Sequence, residues 1–270
     1  MPDGRAVMYG SDGHFVPEAS WIVNADGTGL RTVPDSEYME VAPNGRKLAA
    51  YGYGGVKVFR PNGNIIGSHS VNGDSDWLSW AAYNSALALI DYDYESELRT
   101  LMVADGLAQN TVQLTTGSGF ITYDWSPDSS TIVWSDESAI SLTDQDGSNT
   151  VLLWHNSTGS LNWSPNGSRI AWIDETAIMV ANADGSNINS IASNARQFKW
   201  SPDSRRIAWY DGEDLKLTRI ADSTSVRLPR ATVANTVWAL SFHRMALVWR
   251  GKRITRSGCQ KATEPMLFVA

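Results

Sequence analysis

Asp124-Trp125-Ser126-Pro127-Asp128-Ser129, Asn162-Trp163-Ser164-Pro165-Asn166-Gly167 and Lys199-Trp200-Ser201-Pro202-Asp203-Ser204 are three versions of one phrase. Each leads into a short apolar run that ends in tryptophan: Ile132-Val133-Trp134, Ile170-Ala171-Trp172 and Ile207-Ala208-Trp209. The tryptophan spacing is the same in all three, from 125 to 134, from 163 to 172 and from 200 to 209. A repeat this regular sets the architecture before any local preference does.

Weaker versions of the phrase extend the repeat across the chain. Its turn falls at Pro2, Pro43, near Ala82, at Pro127, Pro165 and Pro202, and near Phe242. The period of about forty residues is that of a four-stranded propeller blade. Each unit reads strand, Pro-Asp or Pro-Asn turn, strand, variable loop, strand, Asp-Gly turn, strand. Asp-Gly and Asn-Gly suit tight hairpins because both residues tolerate positive φ. One such sheet cannot bury both of its faces, whereas a ring of sheets can, with large aromatics between neighbours.

The expectation is an all-β chain folded as a single β-propeller over 1–270, with four-stranded antiparallel blades. The count is seven blades, with six as the alternative. The units run 1–37, 38–75, 76–118, 119–157, 158–194, 195–231 and 232–262. The chain enters on the second strand of a blade and finishes with the apolar run Met266-Leu267-Phe268-Val269-Ala270. Residues 263–270 are therefore expected to supply the missing first strand and close the ring, which would otherwise leave an apolar edge open.

Composition narrows the function. A formal net charge of -7 argues against nucleic acid, whose binding needs a basic surface, and leaves basic proteins as partners. The single cysteine, Cys259, excludes an internal disulfide and a cysteine-based zinc site. No apolar run approaches the roughly 18 residues of a membrane span. Pro2-Asp3-Gly4 is turn chemistry where an exported precursor would show a charged and then an apolar stretch, so no signal peptide is expected in this chain.

Trp-Ser-Pro-Asp-Ser at 125–129, the Ile-x-Trp runs and Asn182-Ala183-Asp184-Gly185-Ser186 closely resemble the WD40-like repeat called PD40. That repeat builds the propeller of TolB-like proteins, and the resemblance covers nearly the whole chain, most strongly 123–211. It implies a propeller that binds a protein partner, and a periplasmic or extracellular location. Similar repeats also occur in oligogalacturonate-type lyases and in the propellers of prolyl-oligopeptidase-like enzymes. The resemblance therefore leaves open a polysaccharide lyase, or the detached propeller of a peptidase.

No catalytic motif decides among these. There is no Gly-x-Ser-x-Gly elbow, no His-Glu-x-x-His, no Walker A loop and no dinucleotide fingerprint. The recurrent polar signal is acidic. The second strand of successive units ends in Asp93 and Glu95, Asp136 and Glu137, Asp174 and Glu175, and Asp211 and Glu213. Equivalent positions come together around a ring, so Asp93, Asp136, Asp174 and Asp211 should form an acidic arc, broken in the seventh unit by Arg250, Lys252 and Arg253. An arc of one sign steers a basic ligand.

His69 and His155 follow the fourth strands of their units, in loops expected on the same face, with His14 as a possible third. A lyase of the related type would gather such histidines round a manganese ion. Trp154 and Trp77 fall outside the strict tryptophan pairs and are candidates for surface roles, whereas the paired tryptophans read as packing between blades. The sequence thus points to a non-catalytic, monomeric binding module without cofactor or metal. It would take a protein partner, with a basic segment, on loops carrying Asp93, Asp136, Asp174, Asp211, His69, His155 and Trp154.

Overall fold

The Trp-Ser-Pro phrase folds as a turn stitched by its own side chains. Ser126 Oγ donates to Asp128 Oδ1 at 2.6 Å and accepts the Thr131 amide at 3.0 Å, while Asp128 Oδ1 accepts the Ser130 amide at 3.0 Å. Ser164 with Asn166, and Ser201 with Asp203, repeat the same three bonds. All three serines are buried. The fourth residue of the turn lies in the left-handed region, at φ 63° for Ser129, 70° for Gly167 and 58° for Ser204. A serine hydroxyl and a short polar side chain can satisfy these amides within a few residues, so the phrase recurs wherever this hairpin recurs.

The computed structural model describes residues 6–10, 19–23, 28–33, 38–83, 85–155 and 160–228. Within them the chain is all β, with no helix, and within each sheet strands adjacent in sequence pair antiparallel. A three-stranded sheet comprises β1 (Ala6–Gly10), β2 (Ala19–Val23) and β3 (Arg31–Val33). A six-stranded sheet follows: β4 (Tyr38–Val41), β5 (Leu48–Phe59), β6 (Ile65–Trp80), β7 (Ala86–Asp93), β8 (Leu98–Asp105) and β9 (Val112–Gly117).

Three four-stranded sheets complete the described chain. The first has β10 (Thr122–Trp125), β11 (Thr131–Ser135), β12 (Ala139–Asp144) and β13 (Val151–His155). The second has β14 (Leu161–Trp163), β15 (Arg169–Asp174), β16 (Ala177–Asn182) and β17 (Asn189–Ala192). The third has β18 (Gln197–Trp200), β19 (Arg206–Tyr210), β20 (Leu215–Arg219) and β21 (Ser225–Arg227).

Neighbouring sheets share their cores. In β11, Ile132 and Trp134 pack with Ala88, Ile90 and Leu101 of the sheet before, while Val133 packs with Leu161, Ile170 and Trp172 of the sheet after. In β15, Ile170 and Trp172 face backward and Ala171 and Ile173 face forward, toward Phe198, Trp200 and Trp209. Successive side chains of a strand point to opposite faces, so a strand covered on both sides is apolar throughout. The paired tryptophans occupy these interfaces, as the sequence predicts.

Hydrogen bonds repeat at the same pitch. Trp80 Nε1 donates to the Glu40 carbonyl and Trp200 Nε1 to the Asn162 carbonyl, both at 3.3 Å. The Tyr83 amide donates to Ser129 Oγ at 3.1 Å and the Asn166 amide to Ser204 Oγ at 3.0 Å. These sheets are blades of a β-propeller. The seventh unit, the closing strand at 263–270, His14, His243 and the basic residues Arg250, Lys252 and Arg253 lie outside the described residues.

One feature departs from the expected pattern. The boundary expected between units at 75 and 76 falls inside β6, which pairs with β5 through 65–70 and at 74, and with β7 through 74–80. Two units are thereby fused into the six-stranded sheet. Glycines permit it. A Cβ on Gly55 would strike the His69 carbonyl oxygen, and one on Gly73 would strike the Tyr92 carbonyl oxygen. The strands approach each other too closely there for a side chain.

Candidate binding face

The acids that the repeat brings to the strand ends sit in the hairpins β7–β8, β11–β12, β15–β16 and β19–β20. The structure gives most of them a local task. Asp93 Oδ1 accepts the Glu95 amide and Oδ2 the Ser96 hydroxyl, both at 2.9 Å. These bonds hold the Asp93 carboxyl below the usual range. Burial pushes the Asp136 carboxyl up, but bonds from the Ser138 hydroxyl at 2.6 Å, the Thr115 hydroxyl at 2.8 Å and the Ser138 and Ala139 amides outweigh it and bring it below its ordinary value.

Asp211 is also held low, by Lys216 Nζ at 2.7 Å and by the amides of Asp214 and Glu213. Asp174 sits at the end of β15, opposite Ala177. The regular spacing of Asp93, Asp136 and Asp211 thus reflects turn construction, in which a carboxylate accepts amides two or three residues ahead. Their charge remains at the hairpin tips, and at Asp211 it is paired with Lys216.

The loop joining β9 to β10 meets the β11–β12 hairpin. Its Phe120 amide donates to Glu137 Oε1 at 3.0 Å, tying it to the β11–β12 hairpin. Phe120 is 74% exposed. Its ring lies 5.4 Å from the Arg99 guanidinium, which also stacks on Tyr92 at 4.8 Å. Tyr92 meets Tyr94 edge to face, with ring centres 5.2 Å apart. Tyr94, Tyr92, Arg99 and Phe120 therefore form one row at the β7–β8 hairpin, ordered by aromatic and cation–π contacts.

On the other face of β7 and β8 lies a cavity of about 200 Å³, lined by His69, Asp91, Tyr92, Asp93, Thr100 and Met102 among others. His69 Nε2 stands 3.6 Å from Asp91 Oδ2, and Asp91 is only 7% exposed. Burial lowers the His69 pKa, which favours the neutral imidazole.

The remaining candidates stand apart from this group. His155 ends β13, exposed, opposite Ala139. Trp154 is half-buried against Trp172, with ring centres 5.8 Å apart, and belongs to the core between two blades. Trp77 is 61% exposed on β6. Among the described residues no group of three or more His, Cys, Asp or Glu side chains is placed to hold a metal ion. Within the same residues no helix is long and apolar enough to cross a membrane.

Sequence reasoning passed over Tyr92, Tyr94, Arg99, Phe120 and Asp91. A signal for some of them existed. Tyr92-Asp93-Tyr94 places two aromatics at a hairpin tip, and Phe120 follows Gly117-Ser118-Gly119, a run with no other reason to carry a large apolar side chain.

No family model matches the chain, and no curated protein matches it. Among solved structures, the chain is similar to a protein from Agrobacterium tumefaciens designated TolB, at 16% identity, covering 79% of this chain and 89% of that one, with a TM-score of 0.48. It is similar also to a chain of a nidogen/laminin complex, at 13% identity over 67% of this chain and 77% of that one, with a TM-score of 0.45. Likeness at these identities concerns the fold alone, and the chain resembles a TolB-like β-propeller.

Proposed function

We propose that this propeller is a protein-binding module whose contact surface is the rim around Tyr94, Tyr92, Arg99 and Phe120. The observation that carries this reading is the ordered aromatic–arginine row, with Phe120 at 74% exposure. Tyrosine, tryptophan and arginine dominate the binding energy of protein interfaces. Side chains held by stacking in the free protein lose little further freedom on binding. Asp93, Asp136 and Glu137 border the row and favour a partner segment of positive charge. Asp174 and Asp211 extend the same acidic rim, with Asp211 weakened as an attractor by Lys216.

The test is paired affinity capture from the source organism's extract. One bait is the wild-type protein and the other is the Tyr94→Ala/Phe120→Ala double variant, with melting temperatures compared to establish that both are folded. A protein retained by the first bait and lost from the second supports the reading. Equal retention by both overturns it.

A further inference from the structure

The exposure of Phe120 follows from the residues on either side of it. Asp136 and Glu137, in the β11–β12 hairpin, take donors from the chain that leads in from the preceding sheet. Thr115 Oγ1, on β9, donates to Asp136 Oδ2 at 2.8 Å, and the Phe120 amide donates to Glu137 Oε1 at 3.0 Å. The next residue, Ile121, is buried in a core with Ile90, Leu101 and Trp134. With its amide held by Glu137 and its neighbour committed to the core, Phe120 turns its side chain outward. The ring centre there lies 5.4 Å from the Arg99 guanidinium.

Glu137 is not needed to make its own hairpin. Asp136 Oδ1 closes that turn by accepting the Ser138 and Ala139 amides, and Asp211 Oδ1 closes the β19–β20 turn in the same way with Glu213 and Asp214. The residue after Asp211 is Gly212, at φ 106°, and the residue after Asp136 is Glu137, at φ 71°. Both lie in the left-handed region, which favours glycine. The glutamate thus stands where a glycine builds the same turn, and its carboxylate reaches the incoming loop instead. Gly119 leaves room for it, since a Cβ at that position would strike Glu137 Oε2.

We propose that Glu137 is the positioning residue of the contact surface, fixing Phe120 against Arg99 across the junction of two sheets. The proposal rests on the protein-binding reading above and names what sets the geometry of that same surface. Tyr94, Tyr92 and Arg99 belong to the β7–β8 hairpin, and Phe120 to the loop ahead of β10, so the row is complete only while the loop is held. The amide–carboxylate bond that holds it is charge-assisted and stronger than a neutral one. A ring fixed before the partner arrives loses less freedom on binding.

The Arg99 Nε–H signal in NMR, assigned through Arg99→Lys, reads this arrangement directly, because an aromatic ring shifts the protons near its face. Phe120→Leu gives the position of the signal when the ring is gone. Glu137→Gly removes the carboxylate and suits the turn. Glu137→Gln keeps an acceptor without the charge. Gly119→Ala pushes the carboxylate aside and leaves residue 137 intact. The expected result is that Glu137→Gly and Gly119→Ala both move the Arg99 signal toward its Phe120→Leu position, while Glu137→Gln leaves it in place. An unmoved signal in Glu137→Gly overturns the proposal. A shift in Glu137→Gly that Gly119→Ala does not reproduce also overturns it, because glycine then acts by loosening the hairpin.

The two Glu137 variants then join the wild-type and Tyr94→Ala/Phe120→Ala baits in the capture experiment, with melting temperatures compared. Both lack the charge, and only glycine lacks the acceptor. A protein that wild type retains and the double variant loses should be held about fivefold more weakly by Glu137→Gly than by Glu137→Gln, the usual worth of one hydrogen bond. Equal retention of that protein by the two Glu137 variants overturns the proposal and leaves the protein-binding reading standing. Equal retention by all four baits sinks the protein-binding reading, whatever the Arg99 signal shows.

Discussion

Ala181→Thr should stabilise this protein, and the reason lies in a bond that two blades make and their neighbour lacks. Trp134, Trp172 and Trp209 hold equivalent places in successive repeats. Trp134 Nε1 donates to Thr143 Oγ1 at 2.8 Å, and Trp209 Nε1 donates to Thr218 Oγ1 at 2.7 Å. Each threonine is joined to a second hydroxyl, Thr150 at 3.0 Å or Ser225 at 2.7 Å. In the blade between them the corresponding residues are Ala181 and Ile188, and the buried Trp172 Nε1 has no acceptor.

An unsatisfied buried donor costs about 1–3 kcal/mol. A threonine at 181 supplies the acceptor but buries a hydroxyl whose own proton meets Ile188 where the other blades offer an oxygen. The net expectation is a gain of about 1 kcal/mol, or roughly 2–4 °C in melting temperature for a chain near this size. Thr143→Ala and Thr218→Ala create the defect that Trp172 already carries and should each lose about 1–3 kcal/mol. Differential scanning calorimetry on the four proteins decides the matter. An Ala181→Thr variant that melts as far below wild type as Thr218→Ala refutes the equivalence of the blades at this position. Threonine-to-alanine variants that melt like wild type refute the value assigned to the bond.

Two further outcomes follow from burial. Burial raises the Asp124 carboxyl from 3.8 to about 6 and the Glu40 carboxyl from 4.5 to about 7. Both folded values lie above the unfolded ones, so the folded state holds protons that the unfolded state has released, and these groups make stability fall as pH rises from about 4 to about 7. Asp124→Asn and Glu40→Gln should flatten that slope in urea midpoints taken at pH 4.5 and 7; slopes equal to wild type would refute the assignment. The lowered carboxyls, such as Asp93 and Asp136, act in the opposite sense and mainly below pH 4. Trp154→Ala should cost about 3 kcal/mol, because the ring packs on Trp172, whereas Trp77→Ala on exposed surface should stay within about 0.5 kcal/mol. Equal losses at the two sites, read by chemical unfolding, would contradict this division.

The blades were legible in the sequence because their turns and interfaces are built by the same atoms each time. Ser126, Ser164 and Ser201 repeat because each caps the same hairpin, and the paired tryptophans repeat because each fills the same gap between sheets. Three things were hidden. The acids at Asp93, Asp136 and Asp211 read as an arc of charge, since a sequence shows a carboxylate but not the amides that it accepts. Trp154 read as a surface candidate because it breaks the tryptophan spacing, but its ring closes over Trp172, a contact made across blades. The fusion of two units through β6 was also hidden, because it depends on backbone approach at Gly55 and Gly73.

The same contrast bears on where function sits. A residue fixed by the repeat is fixed by packing, and it cannot change without damage to an interface between blades. Freedom to carry a distinct chemistry exists where the repeat lapses. The Trp-Ser-Pro phrase lapses at Trp80-Ala81-Ala82-Tyr83, in the six-stranded sheet, and there the strand β6 runs on from one unit into the next. The row of Tyr94, Tyr92 and Arg99 and the cavity at His69 and Asp91 both lie on that sheet, with Phe120 on the loop that leaves it. The regular blades supply a rigid frame, and the irregular one carries the exposed row of Tyr94, Tyr92 and Arg99.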